Sequence, residues 1–135
     1  MTKPTNATRQ ACYFRDGYRC VMCGAVDGLT FQHRIAEGMG GSTNIPAPVD
    51  GLTLCALCNA ACEAELQMQA LANGWKVRRW VGSAARVPVY FPHEFAWFRL
   101  EGTNRVRISH AVAMEMGCAV YGDDWMKWRA RELFS

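Results

Sequence analysis

The sequence predicts an α+β fold in which two cysteine pairs staple a short hairpin and a small, β-rich, basic extension follows. Three observations carry this. First, Cys20-Val21-Met22-Cys23 and Cys55-Ala56-Leu57-Cys58 are both C-x2-C pairs. Two such pairs can set four thiolates around one tetrahedral Zn²⁺. Second, a short alternating run between them ends in Phe31-Gln32-His33-Arg34 and gives way to Gly38-Met39-Gly40-Gly41. Third, strand-like and helical segments after residue 72 hold ten of the 15 Lys and Arg residues.

Size and charge narrow the classes. The 135 residues fit one domain or a small domain with an appendage, and we divide them into residues 1–72 and 73–135. Half the residues are hydrophobic, enough for a packed core. No run approaches the roughly 20 apolar residues of a membrane span. Met1-Thr2-Lys3-Pro4-Thr5-Asn6 lacks the apolar core of a signal peptide. A cytoplasmic location is therefore expected, where cysteine pairs hold metal more often than they form disulfides. Cys12, Cys62 and Cys118 fall outside the pairs and read as small buried hydrophobes. Residues 1–72 carry a net charge of −1; residues 73–135 carry ten Lys/Arg against six Asp/Glu, a net +4. A basic second half suits a polyanionic partner.

The elements follow in order. Residues 1–6 are polar and expected to fray. Thr8 to Asp16 reads as a helix ended by Gly17. Arg19 to Gly24 reads as a zinc knuckle, its glycine letting the backbone turn around the metal. Asp27-Gly28 signals a turn, and Leu29 to Arg34 alternates as a strand. Gly38 to Ser42 is a loop and Pro46-Ala47-Pro48 an extended link. Leu52-Thr53-Leu54 is a second strand, and a helical pattern runs from Asn59 to the Asn73-Gly74 cap. Strands are expected over Trp75–Val81, Val87–Phe91 and Ala96–Leu100, with Pro88 and Pro92 shortening the middle one. Glu101-Gly102-Thr103-Asn104 turns into Arg105–Ile108. Ser109 caps a helix continuing to Met116, and Gly122-Asp123-Asp124 opens a last one over Trp125–Phe134. All five tryptophans read as core.

Chemistry concentrates around His33. It ends a strand and precedes a glycine-rich loop, where a base can meet a bulky substrate and backbone N–H groups can face phosphate. A neutral imidazole can take a proton from water near neutral pH. Cys62 is an alternative zinc ligand, placed further along the helix. Lys76, Arg78 and Arg79 form a basic cluster suited to phosphate, with Lys76 and Arg78 on one strand face.

These motifs together resemble an HNH endonuclease: Cys20-x2-Cys23, Gln32-His33-Arg34, Gly38-Met39-Gly40-Gly41-Ser42 and Leu54-Cys55-Ala56-Leu57-Cys58-Asn59. More narrowly, the chain is similar to small HNH-type proteins of phages that infect actinobacteria, through Gly74-Trp75-Lys76-Val77-Arg78-Arg79-Trp80 and Val87-Pro88-Val89-Tyr90 as well. The resemblance implies a zinc-stapled ββα-metal, treble-clef-like finger. It implies metal-dependent hydrolysis of DNA in the cytoplasm of a bacterial host. His33 matches the family's general base. Asn59 matches its helix ligand to a catalytic Mg²⁺ or other divalent ion, with Glu63 one turn on. Gln32 stands where the family carries an ion-binding Asp or His, and would be an uncharged oxygen ligand to the same ion. Asp50 stands near the position of the motif's middle Asn, with Asn44 as an alternative. Arg34, Lys76, Arg78 and Arg79 would then hold the DNA backbone. Rival readings are a zinc module that binds nucleic acid or a host protein without catalysis, and a thiol oxidoreductase using Cys20 and Cys23. Nothing in the pattern specifies an oligomeric state.

Overall fold

The structure is a computed structural model that describes residues 3–35 and 44–134. It is mixed α/β. Helix α1 spans Asn6–Arg15 and begins where Thr5 Oγ1 accepts from the Thr8 amide at 3.1 Å. Strands β1 (Leu29–His33) and β2 (Gly51–Cys55) form an antiparallel pair, with His33 opposite Gly51 and Leu29 opposite Cys55. Helix α2 (Ala56–Glu63) starts directly after β2, because Cys55 Sγ caps it by accepting from the Cys58 amide at 3.5 Å.

The single helix expected from Asn59 to the 73–74 cap is instead two. Helix α2 stops at Glu63 and α3 runs over Gln67–Ala72. The Gln67 side chain donates to Glu63 O at 2.8 Å and satisfies the last turn of α2. The sequence across the break, Ala64-Glu65-Leu66, holds no helix breaker.

Strands β3 (Val89–Phe91), β4 (Ala96–Glu101) and β5 (Asn104–Ile108) form a second antiparallel sheet in that order. Pro88 and Pro92 bracket β3 and keep it short. Helix α4 (His110–Tyr121) is capped by Ser109 Oγ, which accepts from the Val112 amide at 3.1 Å. Helix α5 covers Asp123–Phe134. Gly117 on α4 makes room for the Trp125 ring, which an added Cβ would meet at 2.0 Å. The strand expected over Trp75–Val81 is absent. Only Val77 bridges Ile35, and Arg79–Val81 form a 3-10 turn.

Packing crosses the boundary expected at residue 72. One core joins Cys20, Val21, Leu52, Leu54 and Cys55 to Trp75, Val89, Phe91, Phe98 and Leu100. A second joins Val77, Val81 and Val87 to Trp97, Ala113, Tyr121 and Trp125. Strand β4 serves both, since alternate side chains leave a strand on opposite faces: Phe98 and Leu100 enter the first core and Trp97 the second. Among the described residues, no helix is long and apolar enough to cross a membrane.

Arg15 and Asp16 close one edge of the hairpin. Both are buried, and the guanidinium Nε donates to Asp16 Oδ1 at 2.7 Å. Asp16 Oδ2 accepts from the Thr53 amide at 3.0 Å, while Arg15 donates to Gly51 O at 2.8 Å. The open edge of β2 is thus satisfied by these side chains and by the Val21 amide, which donates to Thr53 O at 2.9 Å, rather than by a further strand.

Candidate functional site

Four cysteine sulfurs converge beside the hairpin. The Sγ atoms of Cys20, Cys23, Cys55 and Cys58 all lie within 4.8 Å of one another, and those of Cys23 and Cys55 are 3.8 Å apart. A tetrahedral ion with Zn–S bonds of about 2.3 Å requires sulfurs about 3.8 Å apart. The quartet could therefore hold a metal such as zinc. The first knuckle closes through the Gly24 amide, which donates to Cys20 O at 2.8 Å with Gly24 at φ +79°. His93 Nε2 donates to the same carbonyl at 2.9 Å and ties the turn after β3 to the knuckle. Burial raises the Cys20 and Cys58 thiols. At Cys55 burial acts in the same direction, but the Cys58 amide and the neighbouring sulfurs outweigh it and the thiol is lowered. Four thiolates this close repel one another, and a divalent cation at their centre removes that cost. Cys62 stays outside the quartet, its thiol 3.3 Å from Met22 Sδ.

Along the same hairpin lies a cleft of about 680 Å³, and His33, Asn59 and Glu63 share its wall with Phe31, Lys3 and Arg9. His33 comes from the end of β1; Asn59 and Glu63 lie four residues apart on α2, hence on one helix face. The His33 ring packs edge-on to Phe31 with centroids 5.3 Å apart. Gly51 allows this, since a Cβ there would meet the Phe31 ring at 2.2 Å. Asn59 Nδ2 donates to Thr30 Oγ1 at 3.0 Å. The Glu63 side chain is half exposed and ion-paired with Lys76. Lys3 and Arg9 reach this cleft from the N-terminal segment, Lys3 from residues expected to fray and Arg9 from α1.

Several expected site residues stand elsewhere. Gln32 points into the core, 1 % exposed, and its Nε2 donates to Trp75 O at 2.6 Å. Alternation along β1 sends it to the face opposite His33, so it does not join the cleft. Asp50 caps a 3-10 turn over Pro48–Asp50 by accepting from the Ala47 amide at 2.8 Å, and it does not line the cleft. Lys76 is buried, with its ammonium held by Glu63 and by His33 O at 2.9 Å, so it is not a free phosphate contact. Arg78 and Arg79 are exposed. The Gly38–Ser42 loop lies outside the described residues.

Arg34 is the largest departure. It is fully buried and cannot touch a DNA backbone. Its guanidinium donates to Gly74 O (2.8 Å), Val87 O (3.0 Å), Ala84 O (2.9 Å) and Val49 O (3.3 Å). Burial lowers its pKa, and the carbonyl cage stabilises the charged form. Arg34 thereby locks the strand that presents His33 to two segments beyond residue 72, at Gly74 and at residues 84–87. Arg34→Leu should orphan these buried carbonyls and cost about 3 kcal/mol or more, at ~1–3 kcal/mol each. Arg34→Lys should recover only part, because one ammonium cannot span the cage. Urea unfolding midpoints check this; an unchanged midpoint for Arg34→Leu would remove the locking role.

The chain matches no family model, no curated protein and no solved structure.

Proposed function

We propose that the chain is a metal-dependent endonuclease that hydrolyses DNA phosphodiester bonds, built on an HNH-type ββα-metal finger stapled by zinc. One observation carries the reading: His33, Asn59 and Glu63 line a single cleft on the hairpin that also carries a ligand of the cysteine quartet. The order β1, β2, α2 is the order such a finger requires. The donors suit a hard cation. Asn59 Oδ1 and the Glu63 carboxylate are oxygen ligands of the kind Mg²⁺ takes alongside water. The carboxylate already holds a cation in the form of Lys76 Nζ. A bound Mg²⁺ or Mn²⁺ would supply Lewis-acid stabilisation of charge on the scissile phosphate. His33 would take the proton of the attacking water as general base. Its ring is held by Phe31 and its backbone by Lys76, so it needs little reordering to do so. Arg78 and Arg79 would hold the backbone through charge.

Plasmid nicking by zinc-loaded protein in Mg²⁺ or Mn²⁺ tests this. Asn59→Ala and Glu63→Gln should lose nicking while keeping bound zinc. No nicking by wild type in either metal, or undiminished nicking by both variants, sinks the nuclease reading. The ion pair that neutralises Glu63 favours a second reading, a zinc module that binds DNA without cutting it. That module would retain DNA in a gel shift and leave the plasmid supercoiled. The convergence of all four sulfurs, rather than of one exposed pair, argues against a thiol oxidoreductase.

A further inference from the structure

Trp80 breaks the pattern of the other tryptophans. Trp75, Trp97 and Trp125 are at most 4 % exposed, whereas Trp80 is 67 % exposed. It is nonetheless anchored by its neighbours. It sits in the 3-10 turn Arg79–Val81, and Val81 anchors that turn in the second core. Its ring meets Tyr121 edge-to-face, with centroids 5.5 Å apart and planes at 89°. Tyr121 in turn stacks on Trp125, and its hydroxyl accepts from the Arg78 amide at 3.1 Å. An exposed indole on so firm a base loses little freedom when something packs on it.

The surroundings select what that is. Trp80 lines a cleft of about 380 Å³ together with Lys76, Arg78, Arg79 and Glu63. Glu63 also lines the His33 cleft, so the two clefts share that residue as a wall. Among the described residues of the joined linings, Lys76 is taken up by Glu63, the one acid, which leaves Lys3, Arg9, Arg78 and Arg79 as the cationic side chains. A basic track with an aromatic face at one end complements a phosphate chain that can offer a base. In a duplex the base faces are covered by their neighbours; only an unpaired or extruded base has a face to offer.

We infer that Trp80 is a stacking platform for an unpaired base, held so that its strand runs past Arg78 and Arg79 toward the His33 cleft. The inference rests on DNA being the substrate and names its form: a strand that is single or locally opened where the protein grips it. Arg78 and Arg79 contribute charge that does not depend on base identity, and Trp80 contributes the contact that a closed duplex cannot make.

The test is fluorescence anisotropy with zinc-loaded protein, Mg²⁺ omitted. The probes are a fluorescein-labelled oligothymidylate about 12 nucleotides long, within the range one such track covers, and a duplex of equal length. Wild type should bind the single strand more tightly. Trp80→Ala should weaken single-strand binding on the order of 10-fold with an unchanged salt slope, and Trp80→Tyr should recover most of it. Arg79→Gln should instead lower the single-strand salt slope by about 0.7. Bound zinc and far-UV dichroism should be unaltered in all three. Wild-type affinity in Trp80→Ala, or equal losses on single strand and duplex, would overturn the inference. Absent nicking combined with a Trp80-dependent preference for the single strand would count against the nuclease reading alone.

Discussion

Cys58→Ser is expected to release the quartet's metal and unfold the whole chain rather than its first half. The reason is where the ligands sit. Cys20 and Cys55 belong to the core that also contains Trp75, Phe91 and Phe98. Zinc in a small four-thiolate site contributes about 10–16 kcal/mol of apparent free energy. A domain of this size has only ~5–15 kcal/mol of net stability. Losing one ligand of four therefore removes enough to melt a core that residues on both sides of position 72 build together. Metal content per chain and thermal unfolding by circular dichroism check it. Cys62→Ser and Cys118→Ser, both outside the quartet, should keep the metal. A Cys58→Ser protein that carries no zinc yet unfolds at the wild-type temperature would show that the quartet is not a structural centre.

His33→Ala is expected to remove cleavage and little else. A positioned general base contributes roughly 10²- to 10⁴-fold to rate. Two of the residue's structural contacts run through its backbone: it pairs with Gly51 and its carbonyl accepts from Lys76 Nζ at 2.9 Å. Alanine keeps both. Zinc content and the affinity for oligothymidylate should thus stay at wild-type values. The void left beside Phe31 opens into the cleft, so added imidazole should enter it and restore part of the lost rate. Loss of zinc or of strand binding in this variant would make His33 a structural residue.

The sequence made the hairpin, the quartet and the C-terminal strands and helices readable because each depends on neighbours in the chain. Cysteine spacing brought four sulfurs together, Ser109 capped α4, and the Glu101–Asn104 turn joined β4 to β5. The charged residues misled because their partners are remote. Arg34 reads as an exposed cation beside a loop, yet its acceptors lie 15 to 53 residues away. Gln32 and Lys76 are likewise held by partners 43 residues distant, Trp75 O and His33 O. Burial of such groups requires acceptors already in place, and no local pattern announces them. Trp80 misled in the opposite direction. Its strand-like setting suggested a core residue, but the chain turns into a 3-10 segment there and leaves the indole outside. Of the residues that line the cleft, His33 was expected from its place at a strand end and Asn59 and Glu63 only through the resemblance to the HNH motif; Lys3 and Arg9 reach it through the docking of α1 on the hairpin.

Plasmid nicking by wild type and His33→Ala, compared at equal zinc content in the same Mg²⁺ buffer, tests the central claim most directly. The account predicts that wild type converts supercoiled plasmid to the nicked form and that His33→Ala does so at least about 100-fold more slowly. Equal rates for the two proteins would contradict it.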